Sequence, residues 1–323
     1  MDSLKIGSMS NFSLLSLLSM TMVVLACSPV QTDALERLNG FDLRDAQVPP
    51  EEIFHGGPAR DGIPAIDSPQ FVTADSADWL KPDERVLGLS LQGTSRAYPV
   101  AILNWHEIVN DCFGERAVVV TFCPLCGSGM AFAAEVDGQA LSFGVSGLLY
   151  NNDMLLYDRQ SKSLWSQLMR QAISGPMRGR RLQMLALQHT SWQEWRDRHP
   201  QTQVLSRETG FARDYSRDPY AGYAQESELF FPLSAINPRY HPKEQVLGLE
   251  IDGAFKAYPF QELSRLEGVL NDRLGNRPIR VHFDKANATA WVESRKGRRL
   301  PSVISYWFAW MAFHPDSLVF EGD

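Results

Sequence analysis

The stretch RVLGLSLQGTSRAYPVAIL from Arg85 recurs as QVLGLEIDGAFKAYPFQEL from Gln245, at a constant offset of 160 residues. The two share VLGL, the glycine of a turn, Ala-Tyr-Pro and the closing leucine. After one inserted residue the match resumes at an offset of 161, pairing Asn110 and Asp111 with Asn271 and Asp272, Gly114 with Gly275, and Phe122 with Phe283. A third block sets SWQEWRDRHP against YWFAWMAFHP at an offset of 115, aligning Trp192 with Trp307, Trp195 with Trp310 and His199 with His314. The second copy is therefore shorter by about 45 residues between its blocks. A solenoid needs three or more repeats to bury a continuous core. Two copies instead predict two homologous lobes, the second shortened.

Each copy reads alike locally. Alternating apolar residues about Gln92-Gly93 and Asp252-Gly253 predict hairpins, and Tyr98-Pro99 leads into a helix expected over 100–111. The β-branched run from Arg116 to Phe122 predicts a buried strand, Asp137-Gly138 a tight hairpin, and Ser191 the N-cap of a short helix ending before Pro200. The expected class is α+β and sheet-rich, with helices covering one side. With 44% hydrophobic and 11% aromatic residues the chain is too apolar for disorder, and 4 cysteines in 323 residues are too few for a disulfide-stapled fold. A net charge of −7 without a Lys/Arg run lacks the electrostatic footprint of a nucleic-acid binder.

The N-terminus is a different material. Lys5 precedes the apolar run Leu14–Ala26, which is too short to span a bilayer comfortably, and Val24-Leu25-Ala26-Cys27 resembles the bacterial lipobox. The reading is a lipoprotein signal over residues 1–26, lipidation at Cys27, and a tether or strap over 27–60. The first lobe then runs over 61–225 and the degenerate second over 226–323. Ser28 after the cysteine matches an outer-membrane sorting pattern, so the expected place is extracytoplasmic, anchored to the outer membrane and facing the periplasm. An ordinary cleaved signal with an incidental cysteine is the plainer alternative.

Comparison of the copies locates the chemistry. His106 stands opposite Leu266, Cys123 opposite Asp284, and Cys126 opposite Asn287, so reactive residues are confined to the first copy. Cys123-Pro124-Leu125-Cys126-Gly127 follows the predicted strand with no evident helix behind it. Thioredoxin-type pairs sit at a helix N-terminus, whereas CPxCG resembles the knuckle of rubredoxins and zinc ribbons, in which the glycine permits a left-handed turn. The pair therefore favours a soft ion, copper or zinc, with His106 as the leading additional ligand; a satisfied core histidine is the plain alternative. Two further readings remain open. One is a thiol-disulfide oxidoreductase in which Cys123 attacks and Cys126 resolves; the other is a non-enzymatic scaffold whose disulfide staples a turn. GVSGLLYNNDMLLYDRQSKSLWSQ from Gly144 is absent from the second copy. Its Asn151, Asn152, Asp158, Arg159, Trp165 and Gln167 are candidates to line a polar pocket, with Asp158 and Arg159 as substrate contacts; alternatively these two merely tie a hairpin loop. The substrate itself, small molecule or protein, is not named by any motif.

NWHEIVND, TFCPLCGSG, GVSGLLYNND, LYDRQSKSLWSQ and RDYSRDPYAGY, in this order, resemble a bacterial and archaeal family known as domain of unknown function 3179. The resemblance covers roughly Phe41 to Tyr223 and continues more weakly through the second copy. It implies that His106, Cys123, Cys126, Tyr150, Asp158, Arg159, Trp165 and Gln167 occupy positions written into the family's motifs, Tyr150 joining the substrate-side candidates. Asn152 stands where the pattern leads one to expect serine.

Overall fold

The computed structural model describes residues 36–322. Five sheets of four or five strands dominate, in a five-bladed, propeller-like arrangement, so the sheet-rich expectation holds. The first copy supplies two sheets. In the first, Leu187–Ser191, Arg85–Leu91, Thr94–Pro99, Gln203–Leu205 and Phe71–Thr73 lie side by side; in the second the order is Gln183–Leu185, Ser128–Ala133, Arg116–Cys123, Ile108–Phe113. The second copy repeats both. Val303–Tyr306, Gln245–Ile251, Ala254–Pro259 and Leu318–Val319 form the fourth sheet, and Leu270–Leu274, Arg277–Asp284, Thr289–Ser294 and Arg299–Leu300 the fifth. The third sheet, Gln171–Ser174, Leu164–Ser166, Asp153–Asp158, Phe143–Tyr150 and Ile53–His55, has no counterpart; it is the segment missing from copy two.

The repeated residues are the ones that set register. Leu87 faces Tyr98 in the first sheet as Leu247 faces Tyr258 in the fourth. Both tyrosines are fully buried, and each hydroxyl donates to an aspartate of the sheet that follows in the same copy, Tyr98 to Asp111 at 2.5 Å and Tyr258 to Asp272 at 2.8 Å. Arg96 and Lys256 complete these carboxylates as ion pairs. The glycine of VLGL has a steric reason: a Cβ on Gly88 would overlap the Trp195 indole, and one on Gly248 the Trp310 indole. Those tryptophans sit on the matching helices Trp192–Arg198 and Trp307–Phe313, and their indole N–H groups donate to Thr202 and Ser317, each at 2.9 Å.

Separate lobes do not form. The sheets of the two copies interlock, with Val303–Tyr306 packed on Ser128–Ala133 and Leu187–Ser191 on Thr289–Ser294. One core cluster takes Val119, Cys126 and Phe132 from copy one together with Val246, Trp307 and Trp310 from copy two. Each copy leaves an apolar sheet face uncovered, and the other copy covers it, which is why a duplication gave one body.

The expected helix over 100–111 is shorter: it spans Val100–His106 and gives way to the strand Ile108–Phe113. Glu107 ends it by taking φ +59° while its carbonyl accepts the Phe122 N–H at 2.8 Å. Ser191 caps its helix as expected, accepting from Glu194 N at 3.2 Å. Residues 36–60 are packed along part of their length: Phe41, Leu43 and Ile53 are buried against Leu148 and Leu155, and Ile53–His55 pairs with the edge of the third sheet. Cys27 and the signal segment lie outside the described residues. Among the described residues no helix is long and apolar enough to cross a membrane.

Candidate metal centre

Strand Arg116–Cys123 carries Cys123 into a tight turn, and Ser128–Ala133 returns from it, with Cys123 paired to Ser128. Gly127 closes the turn at φ +60°, and a Cβ there would stand 2.9 Å from the Tyr306 ring, so conformation and space both require glycine. The element that follows is a strand, so no helix dipole is aimed at the sulfurs.

Cys123 and Cys126 are buried free thiols. Their sulfurs and a carboxylate oxygen of Asp153 all lie within 4.8 Å of one another. Asp153 opens the central strand of the third sheet, whose six residues are all buried. Asn151 and Asn152, at φ +53° and +62°, form the two-residue turn that precedes it, in which Tyr150 pairs with Asp153. The Asn152 amide is locked to the backbone of Phe231 by bonds of 2.8 and 3.0 Å, and its carbonyl accepts the Cys123 thiol at 3.5 Å. Asp153 Oδ2 accepts from Leu168 N at 3.0 Å and Ser166 Oγ at 3.2 Å, whereas Oδ1 is buried with no partner among the described residues.

The surroundings penalise negative charge. Burial pushes the Asp153 carboxyl up to about 7 against the hydrogen bonds that favour its ionised form. Burial, then the nearby Asp153 charge, raises Glu107 to about 8. Cys126 is raised well above a normal thiol, by burial first and then by its hydrogen bond to Cys123, the Cys123 charge and Asp153. Tyr220 and Tyr223 are pushed up by burial and, further, by the thiols, and the Tyr223 hydroxyl also lacks a partner among the described residues. Burial thus raises Asp153, Glu107, Cys126, Tyr220 and Tyr223 together around one site. An orphaned carboxylate oxygen is costly by about 1–3 kcal/mol, and a cation held between it and the sulfurs would satisfy it. Two sulfurs and one oxygen suit Zn(II), which accepts both donor types, better than Cu(I), which prefers soft ligands alone. Cys123, Cys126 and Asp153 could together hold a metal ion, and Glu107 is close enough to feel the Asp153 charge.

His106 does not join them. Its Nδ1 hydrogen-bonds the Pro64 carbonyl at 2.8 Å and its Nε2 the Tyr215 hydroxyl at 2.7 Å, so both ring nitrogens are used; the next residue, Glu107, is the one electrostatically coupled to Asp153. Burial lowers the His106 pKa. Asp158 has its carboxylate filled by its own loop, from Ser161 N and Oγ at 2.5 and 2.7 Å and from Trp165 Nε1 at 2.9 Å, and Arg159 pairs with Asp67. This is the loop-tying alternative. Trp165 and Gln167 are fully buried. Gln167 braces the thiol turn, accepting from Ser128 Oγ at 2.6 Å and donating to Thr121 Oγ1 at 2.8 Å. Tyr150 is half-buried and packs edge-on against Phe313, and Asn151 accepts from Ser234 N at 2.7 Å while its amide nitrogen lacks a partner among the described residues.

Asp153, Glu107, Tyr220 and Tyr223 were not singled out by sequence. Asp153 offered one signal, a carboxylate inside an otherwise apolar strand, NNDMLLYD. Glu107 was masked by Glu267, its look-alike in the second copy.

The family described as protein of unknown function (DUF3179) matches residues 60–299. The chain belongs to this family. The matched span holds Cys123, Cys126, Asp153 and Glu107 and runs from the first copy into the second, ending before Val303–Tyr306 and the helix Trp307–Phe313. Among curated proteins and among solved structures nothing matches the chain.

Proposed function

We propose that this DUF3179 protein is an extracytoplasmic lipoprotein, anchored through Cys27, that holds a zinc or copper ion between Cys123, Cys126 and Asp153. One observation carries the metal reading: the partnerless Asp153 oxygen lies beside two buried thiols. Zinc is favoured over copper because the third donor is oxygen. A bound ion would supply Lewis acidity and hold the sulfurs as thiolates. Three protein donors leave a position for Glu107 or for a substrate group, which is the arrangement of a catalytic rather than a closed structural site. Gln167 and the Asn152 amide keep the two donor-bearing turns in register. The dithiol alternative relies on the same sulfurs, but burial disfavours the thiolate of Cys126, the resolving thiol of that reading.

Elemental analysis of the purified full chain tests this. Zinc-repleted protein is expected to hold about one equivalent, and Cys123→Ser/Cys126→Ser less than about one tenth. Comparable metal in both proteins, or none in the parent, ends the metal reading; a glutathione titration showing a labile disulfide would then favour the dithiol. The anchor is tested separately, by detergent partitioning of the wild type and of Cys27→Ala, where only the former is expected in the detergent phase.

A further inference from the structure

The duplication also generates two related cavities, each about 420 Å³. In one, Gly248, Trp310 and His314 of the fourth sheet's unit face Met130 and Met184 of the second sheet. In its sister, the equivalent Gly88, Trp195 and His199 face Trp291 and Arg299 of the fifth. Met130 and Trp291 are repeat partners at offset 161, and Met184 and Arg299 at offset 115. The sister cavity is engaged with itself: the Arg198 and Arg299 guanidiniums stand 4.5 and 4.3 Å from the Trp291 ring. The methionines of the first leave an adaptable apolar floor in place of that stack.

Its rim is charged and unevenly balanced. Arg170 and Arg181 both reach the single carboxylate of Glu250, whereas Asp252 is closed in a two-bond pair with Arg277. Arg170 lines the cavity and Arg181 lies beside it, reaching the lining carboxylate of Glu250, so one carboxylate against two guanidiniums leaves positive charge at the mouth. Arg170 belongs to the third sheet's unit, which copy two lacks, and it takes φ +57°, a conformation that costs a non-glycine residue free energy and gathers at ligand sites. Burial first, and then the same two arginines, lowers His314 to about 4.

We propose that the cavity between Trp310 and Met130 binds a small organic anion with an apolar body, its carboxylate taken by Arg170 and Arg181 and its body lying on Trp310 and the methionines. The volume is that of a small-molecule site, and charged groups such as Arg170 and Glu250 line it together with Met130, Met184 and Trp310. Arginine is suited to carboxylate recognition because its planar fork donates two parallel hydrogen bonds. Glu250 then acts as the internal competitor that the ligand displaces. The proposal does not depend on the metal reading.

Calorimetric titration of the full chain with phenylacetate, and with uncharged phenylacetamide as its near-isostere, tests it. Phenylacetate is expected to bind at least about ten-fold more tightly than the amide. Arg170→Asn, which keeps a residue tolerant of positive φ, is expected to weaken phenylacetate about ten-fold, and Arg299→Gln in the sister cavity to leave it unchanged. Glu250→Gln removes the competitor and is expected to tighten binding several-fold, a sign that a purely structural role would not give; it also decides the matter if Arg170→Asn fails to fold. No binding up to about 10 mM, equal affinity for acid and amide, loss of binding in Arg299→Gln, or no tightening in Glu250→Gln would each overturn the proposal.

Discussion

The two copies build the same turn from different side chains. Cys123 to Gly127 in copy one corresponds to Asp284 to Ala288 in copy two, and both turns close on a residue with positive φ, Gly127 at +60° and Ala288 at +42°. Each receives the other copy's helix-start strand: Tyr306 N donates to the Cys126 carbonyl at 2.8 Å, and its repeat partner Ser191 donates its hydroxyl to Asn287 Oδ1 at 2.5 Å. In copy two the turn is tied by its own polar groups, Asn287 Nδ2 donating to Asp284 Oδ2 at 2.7 Å. The turn therefore forms without sulfur, which weakens the idea that the thiols exist to staple it. Copy one differs in having the third sheet beside it, and that sheet brings Asp153.

The largest effect should come from moving thiols between copies. Cys123→Ser/Cys126→Ser is expected to lower zinc affinity by a thousand-fold or more, about 4 kcal/mol. Asp284→Cys/Asn287→Cys, grafted into that variant, should restore little of it, because copy two has no strand to supply a buried carboxylate. Competition with a chromophoric chelator reads both. A graft that binds as well as the parent would mean that the turn alone makes the site and that Asp153 is incidental.

Next in size are the glycines beneath the tryptophans. Gly88→Ala and Gly248→Ala both drive a methyl into an indole held by a fully engaged N–H, in a helix that cannot retreat from its sheet. Each should cost about 3 kcal/mol in urea unfolding, at the upper end for overpacking. Similar costs would confirm that the copies are mechanically equivalent; a cheap Gly88→Ala would show that the first copy's helix is looser.

The paired histidines should differ with pH. Burial, helped by Arg170 and Arg181, lowers His314 to about 4, so between pH 6.5 and 4 the unfolded chain binds more protons than the folded one. The His314 contribution is fully present above 6.5 and is lost as pH falls toward 4, by roughly 2 kcal/mol. His199 is lowered by burial and then by the Arg198 charge, with Glu194 offsetting part of the effect, and Ser95 hydrogen-bonds its ring. Urea midpoints between pH 7 and 4.5 should therefore flatten more in His314→Gln than in His199→Gln, and the reverse order would contradict the burial argument.

What the sequence made legible was whatever is repeated. Leu87 with Tyr98, Gly88 with Trp195 and Tyr98 with Asp111 recur with identical register, so one copy served as the control for the other. What it hid was long-range or unrepeated. That Val303–Tyr306 would cover Ser128–Ala133 is a contact across about 170 residues with no local signature, so two lobes were the natural expectation, for which the propeller-like arrangement gives no evidence. The helix over 100–111 overran because nothing in the apolar periodicity marks Glu107 as a left-handed stop. His106 is the ligand its motif suggests, yet its two ring nitrogens hydrogen-bond Pro64 and Tyr215. Asp158 resembled a substrate contact because its exposed-looking loop, Arg159 to Ser163, folds back and consumes the carboxylate.

The smallest expected effect isolates the turn from the sulfurs. Ala288 holds φ +42° at a place where its partner is glycine, so Ala288→Gly should relieve strain and raise stability by about 0.5–1 kcal/mol. Gly127→Ala should do the opposite and by more, since its Cβ meets both the left-handed penalty and the Tyr306 ring at 2.9 Å. The discriminating measurement is zinc affinity alongside urea stability. If Gly127→Ala loses stability but keeps its affinity for the ion, the turn and the donors are separable. If both fall together while Ala288→Gly changes stability alone, the left-handed closure of the first turn is what brings the two sulfurs within 4.8 Å of Asp153, and the second copy keeps the turn without the thiols.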